Sequence, residues 1–197
     1  AQARNIPAVS GFLSKREQML AQELLRGQEI CFFGGPELAE REICCYLPDY
    51  LDESWLESED GPIAAVRASY FEGDTLTHRD FLGSLMAQGI TREKLGDILV
   101  SEGVCDLIVS RDIAPYLLQN VTSAGRVKLS LSEIELSALH IPELKVKEIR
   151  DTVSTLRLDA VAARGFSMSR GKAQELMSSG RVQFNYRETL KSDALVA

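Results

Sequence analysis

The sequence predicts an α+β protein in three parts: a small N-terminal α/β region over residues 1–61, a middle domain with its linker over 62–149, and a C-terminal unit over 150–197. Three observations predict it. Strand-like alternation and helical apolar stripes interleave through the middle of the chain, whereas the last part carries two capped helical stripes and one short alternating run. Gly34-Gly35-Pro36 and Gly61-Pro62 punctuate the first part. Charge divides the same way: residues 150–197 hold eight Lys+Arg against five Asp+Glu, a local +3, while residues 1–149 hold fourteen against twenty-four, a local −10.

In the first part, Ser14-Lys15-Arg16-Glu17 reads as a capping box. The helix it opens carries Met19, Leu20, Leu24 and Leu25 at core spacing and stops at Gly27. Ile30 to Phe33 is a short buried strand. A second helix is expected from Glu37 to Leu47, presenting Leu38, Ile43 and Leu47 inward. The acidic stretch from Asp49 to Asp60 is a connector anchored by Trp55.

The middle part is more regular. Ile63 to Phe71 alternates as a strand. Thr77, with Asp80 three residues on, caps a helix whose stripe is Phe81, Leu82, Leu85 and Met86, ended by Gly89. Asp97–Val100 and Val104–Val109 are strands joined across Ser101-Glu102-Gly103. Ile113 to Val121 is a helix that tolerates Pro115 only in its first turn, and Arg126 to Leu131 alternates as a strand. The order β-α-β-β-α-β is the ferredoxin-like plan that RNA-recognition motifs share. Residues 137–149, with Lys145-Val146-Lys147, read as a linker or an added edge strand.

In the last part, Ser154 is expected to cap a helix through Ala163. Ser169 caps a second, with Ala173, Leu176 and Met177 buried and Gly180 at its end, and a strand through Val182 and Phe184 follows. Arg157-Leu158-Asp159, Ser169-Arg170 with Ala173 and Leu176, and Gly180-Arg181-Val182 leading to Asn185 together resemble the S4 domain, the alpha-L RNA-binding motif. That resemblance implies structured RNA as the partner.

Arg170 and Lys172 fall in the first turn of the second helix, where exposed backbone N–H groups already favour phosphate. Arg157, Ser169, Arg181, Arg187 and Lys191 extend the candidate RNA-binding set, and Gln174 and Asn185 add hydrogen-bonding groups for sugars or base edges. Asp159 reads as structural, bridging a neighbouring Arg or a backbone N–H. A second RNA or ribosome contact is expected at His78, Arg79, Arg92 and Lys94, whose alternative role is capping and bracing, including a pair from Arg79 or Arg92 to Asp97. Base stacking on the middle sheet is not expected, because Val104–Val109 offers no aromatic side chain.

Bulk properties are those of an ordinary globular chain, 45% hydrophobic and 26% charged. No apolar run approaches the ~20 residues that span a bilayer, and Ala1 to Gly11 lacks a secretory pattern. A cytoplasmic protein without a membrane partner is expected. Cys31, Cys44, Cys45 and Cys105 lack CxxC spacing and a nearby His, so reduced thiols rather than a metal site are expected. Neither a phosphate loop nor a Ser/His/Asp or Cys/His arrangement is present. No catalytic residue, cofactor or small-molecule substrate is therefore expected.

Two longer segments are more specific, Leu76-Thr77-His78-Arg79-Asp80-Phe81-Leu82-Gly83-Ser84-Leu85-Met86 and Gly89-Ile90-Thr91-Arg92-Glu93-Lys94-Leu95-Gly96-Asp97-Ile98-Leu99-Val100. With Phe33-Gly34-Gly35, Ala39-Glu40-Arg41-Glu42 and Leu156-Arg157-Leu158-Asp159, they resemble the YlmH family of bacterial S4-domain proteins, also called RqcP. The resemblance runs over residues 14–191. It implies a non-enzymatic factor that binds rRNA and tRNA on a large ribosomal subunit carrying a stranded peptidyl-tRNA. There it assists C-terminal alanine tailing in ribosome-associated quality control.

Two departures stand out. S4 domains place Asn-Gly after the strand, whereas Asn185 is followed by Tyr186-Arg187, and the chain stops at Ala197 before the closing strand expected after Asp193. A truncated unit with an unpaired edge is the expectation. Two alternatives carry over. One is an RNA-modifying enzyme of the pseudouridine-synthase type, since Arg157-Leu158-Asp159 fits its catalytic context although Ala160-Val161-Ala162 does not. The other is a protein-interaction module linked to cell division, the family's older label.

Overall fold

The structure, a computed structural model, describes residues 5–143, 146 and 148–196. The chain divides into two compact units, Ala1–Glu143 and Leu144–Ala197.

The first unit opens with a strand the sequence pattern does not reveal, β1 (Ala8–Leu13). Helix α1 (Lys15–Leu24) follows, and the Glu17 carboxylate accepts the Ser14 backbone N–H at 2.7 Å, as the capping box predicts. Its expected apolar stripe is not the buried side: Leu20 and Leu24 are exposed and Gln18 is buried. The Gln18 amide bridges the Leu13 and Glu40 carbonyls at 3.0 and 3.1 Å, tying the helix to the end of β1 and to the turn before residue 42.

Strands β2 (Cys31–Phe33) and β3 (Glu42–Tyr46) complete a three-stranded antiparallel sheet in the order β1-β3-β2. The helix expected from Glu37 to Leu47 is therefore replaced by a turn and a central strand. The reason lies at Gly34, where a Cβ would come 2.5 Å from Ala39 Cβ and 2.6 Å from the Arg41 carbonyl oxygen. The chain doubles back too tightly for a helix and delivers Ile43 and Cys45 to pairing partners on both sides, leaving Leu38 in solvent. In the acidic connector a short helix, α2 (Ser54–Glu57), buries Leu56, while Trp55 is only half-buried.

Next come β4 (Ile63–Ser69), α3 (His78–Ala87), β5 (Leu95–Ser101), β6 (Val104–Ser110) and α4 (Ala114–Asn120). The Asp80 carboxylate accepts the Thr77 N–H at 2.8 Å, and Pro115 stands in the first turn of α4. The last expected strand, Arg126 to Leu131, splits in two. A small hairpin, β7 (Ser123–Ala124) with β8 (Val127–Lys128), turns at Gly125, whose φ is +57°. Only β9 (Ser130–Ile134) joins the main sheet. That sheet is antiparallel in the order β5-β6-β4-β9.

Each face of this sheet has its own core. On one, Ala64, Val66, Ala68, Leu107 and Val109 pack under Phe81 and Leu85 of α3 and Leu117 of α4. On the other, Ile63 and Ile108 pack with Phe12, Ile43 and Leu56 of the N-terminal region, joined by Leu136 and Leu139 from the strap after β9. Gly96 permits the close approach, since a Cβ there would lie 2.7 Å from the Phe12 ring.

The same covered face holds a buried ion pair. Arg67 donates to Asp106 through Nε and Nη2, both at 2.7 Å, and the Asp106 side chain is wholly buried. The strap closes over it: the His140 backbone N–H donates to Asp106 at 2.6 Å, and Arg67 also reaches the Ala138 carbonyl at 2.7 Å. Lys145 and Lys147, expected in a linker or edge strand, lie outside the described residues.

The second unit contains α5 (Leu158–Gly165), α6 (Arg170–Ser178) and a hairpin of β10 (Gln183–Phe184) and β11 (Arg187–Glu188). Ser154 does not cap α5. Residues 156–157 are held extended by the chain's own tail, with Arg157 bridged to Leu195 and the Val196 N–H donating to the Leu156 carbonyl at 2.9 Å. The tail also serves the helix end. Leu158 and Asp159 N–H groups donate to the Ala194 and Ser192 carbonyls at 2.8 and 3.0 Å. The closing strand is expected to be missing after Asp193, yet residues 192–196 pair with residues 156–159 at the start of α5; Ala197 lies outside the described residues.

Candidate nucleic-acid interface

In the second unit, Ser169 is the N-cap of α6 and accepts the Lys172 backbone N–H at 3.2 Å, which fixes the first turn. Ala173 and Met177 turn inward, so Arg170 and Gln174, one helical turn apart, share a flank. That flank meets Asp159, whose side chain is fully buried. Gln174 Nε2 donates to Asp159 Oδ2 at 2.7 Å, and Arg170 Nη2 lies 3.0 Å from Oδ1. Arg157 donates through Nε and Nη2 at 3.3 and 3.2 Å.

Burial alone would raise the Asp159 carboxyl, but hydrogen bonds from Arg157, Arg170 and Gln174 outweigh it and hold it well below the usual carboxylate range. The ionised carboxylate in turn raises the Arg157 guanidinium, chiefly through its hydrogen bond. The result is two guanidiniums on one carboxylate, a net positive group whose carboxylate is hidden. The guanidiniums are not: their side chains are 36% and 47% exposed. Each guanidinium has five N–H donors, more than the carboxylate engages, so donors remain for an outside acceptor.

The other expected residues separate in the structure. Lys172 pairs with Glu175 at 2.9 Å on the α6 surface, which offsets its charge. Arg181 is exposed and bonds the Ser179 hydroxyl at 3.1 Å. Asn185 stands in the β10–β11 turn, Arg187 is exposed in β11, and Lys191 is exposed before the tail. Beside the Asp159 cluster, Asp151, Ser154, Arg164, Ser167, Ser169 and Arg170 line an open polar cleft.

In the first unit the second expected group is not brought together. His78 and Arg79 open α3, a helix of ten residues and so about 15 Å long, while Arg92 and Lys94 stand in a short turn that follows its other end. Lys94 pairs with Asp112 at 2.6 Å. The pair expected from Arg79 or Arg92 to Asp97 is not what holds Asp97, which accepts the Glu40 and Arg41 backbone N–H groups at 2.8 and 3.0 Å. Tyr70 packs on Phe81 and donates to the Ser101 carbonyl at 2.6 Å, so it belongs to the helix-covered core.

Sequence reasoning missed the Arg67–Asp106 pair and the Gln174–Asp159 bond. The first has a signal in hindsight, since a charged residue interrupts each of two apolar central strands. Among the described residues, no group of three or more His, Cys, Asp or Glu is placed to hold a metal ion, and no helix is long and apolar enough to cross a membrane.

Comparison with known proteins bears on both units. A relative in Bacillus subtilis (strain 168), "Ribosome-associated protein quality control protein P2", is 36% identical over 192 residues, covering 96% of this chain and 74% of that protein. The chain belongs to the YlmH family. The family model described as "Putative RNA-binding domain in YlmH" matches residues 63–138, from β4 into the strap that follows β9. Among solved structures, "Cell division protein ylmH from Streptococcus pneumoniae" is similar with a TM-score of 0.54 at 24% identity, covering 68% of this chain and 82% of that one. That likeness concerns the fold. In this YlmH-family chain the matched segment has both faces of its sheet covered, one by α3 and α4 and the other by β1, β3 and the strap.

Proposed function

We propose that this YlmH-family protein is a non-enzymatic, cytoplasmic RNA-binding factor of bacterial ribosome-associated quality control. In this reading it binds the large ribosomal subunit and its stranded peptidyl-tRNA and assists C-terminal alanine tailing. The second unit is its S4-like RNA-binding domain, and the first combines a ferredoxin-like middle domain with an N-terminal region packed on it. Family membership and the relative's name support the setting.

The observation that carries the RNA-binding surface is the Asp159 cluster. It presents Arg157 and Arg170 as fixed, partly exposed forks with a net positive charge, the arrangement that suits phosphate. Ser169, Gln174, Arg181, Asn185, Arg187 and Lys191 extend the surface, with Lys172 a lesser contributor. Reading of bases on the middle sheet is disfavoured, because that mode needs an open face with aromatic side chains and this sheet is covered on both sides.

The pseudouridine-synthase alternative requires Asp159 as the nucleophile. A fully buried carboxylate engaged by three side chains is a poor candidate for that role. Cosedimentation with purified bacterial large ribosomal subunits tests the proposal. The protein should travel with subunits, and more strongly with those carrying peptidyl-tRNA. Absence from the subunit fraction at low salt, or stoichiometric modification of RNA that vanishes with Asp159→Asn, would overturn it.

A further inference from the structure

Strands β10 and β11 are joined by two residues only, Asn185 and Tyr186, between the paired Phe184 and Arg187. Both have left-handed backbones, with φ of +49° and +60°. A two-residue loop that matches the twist of its strands needs positive φ at both positions, which is why Asn-Gly is the favoured pair. Asn tolerates that region through its short polar side chain. Tyr does not, because its Cβ crowds the following carbonyl. A bulky side chain at such a position is a local strain that the sequence retains.

Burial does not offset this strain, since Tyr186 is 53% exposed. The side chain instead stands at the tip of a hairpin, on a stretch, residues 181–191, that carries Arg181, Arg187 and Lys191 against a single acid, Glu188. An exposed aromatic ring at a hairpin tip, next to Arg187 and on a stretch rich in cations, is suited to a flat partner attached to phosphates.

We infer that Tyr186 is a base-stacking residue, whose left-handed turn holds the phenol ring outward to receive an unpaired nucleotide of the bound RNA. The partner is thus RNA with a single-stranded loop or bulge, not a continuous duplex, because a paired base has both faces occupied by its neighbours. This inference rests on the RNA-binding reading above and adds to it a residue and a class of RNA element.

The test uses the full chain and two fluorescein-labelled RNAs of equal length, a hairpin with an unpaired loop and a fully paired duplex, with affinities from anisotropy. Tyr186→Gly should raise the melting temperature, since it relieves the turn. It should also weaken hairpin binding about tenfold and leave duplex binding within about twofold. Tyr186→Phe should match the wild type on both RNAs. Unchanged hairpin binding by Tyr186→Gly, or an equal loss on both RNAs, would overturn the inference, and would leave the RNA-binding reading standing if Arg157→Ala with Arg170→Ala still weakens both. Failure of the wild type to bind either RNA would overturn both.

Discussion

Arg170 Nη2 lies 3.0 Å from Asp159 Oδ1, joining the first turns of two helices through a carboxylate that solvent does not reach. Arg170 is therefore aimed, not merely present. A guanidinium held by a buried partner has already lost much of its rotamer freedom, so less is lost when it meets a phosphate.

Asp159 should govern both RNA binding and acid stability. Its folded-state pKa is depressed, so its contribution is complete above the ordinary carboxylate range near ~4 and is lost as pH falls below it. Asp159→Asn is expected to cost about 1–3 kcal/mol at pH 7, measured by urea denaturation, and the gap from wild type should narrow below pH ~4. A constant gap from pH 7 to pH 3 would mean that the carboxylate is not ionised in the fold.

On the first unit, Arg67→Met should destabilise strongly, by about 3–5 kcal/mol, because Asp106 would remain buried with its charge unpaired. RNA affinity of the protein that remains folded should not change, since the pair lies under the strap. A loss of affinity in folded protein would place RNA on this face after all.

Gly96→Ala should cost about 1–3 kcal/mol through overpacking against Phe12 and Ile108. Phe12→Ala is costly by itself, but combined with Gly96→Ala the total cost should fall short of the sum of the two, and a double-mutant cycle by thermal melting checks the coupling. Additive effects would mean that the two residues do not touch.

Much of this was legible in the sequence, and the failures share a cause. Capping boxes at Ser14 and Thr77 and the cap at Ser169 are local chemistry, and each stands where its residues predict. The segment from Glu37 to Leu47 reads as helix by spacing, yet two neighbouring strands claim its backbone, and only the tight turn at Gly34 hints at this. β1 is invisible because its pairing partner is distant in sequence. The same holds for the site. Individual cations were readable from composition and motif, but which of them are aimed depends on Asp159, and which are offset depends on Glu175 and Asp112. Ser154 failed as a cap because the tail, not a side chain, satisfies the N-terminus of α5.

In the proposed function, Arg157 and Arg170, held by Asp159, meet RNA phosphates on the ribosome. Binding of the full chain to purified large ribosomal subunits, titrated across salt concentrations, tests it directly. For the wild type, the logarithm of the binding constant should fall linearly with the logarithm of salt concentration. Arg157→Ala with Arg170→Ala should weaken binding and reduce that slope by roughly 1.4–1.8, because two phosphates are no longer neutralised, while Lys172→Ala changes it little. An unchanged slope in the double variant would contradict the account.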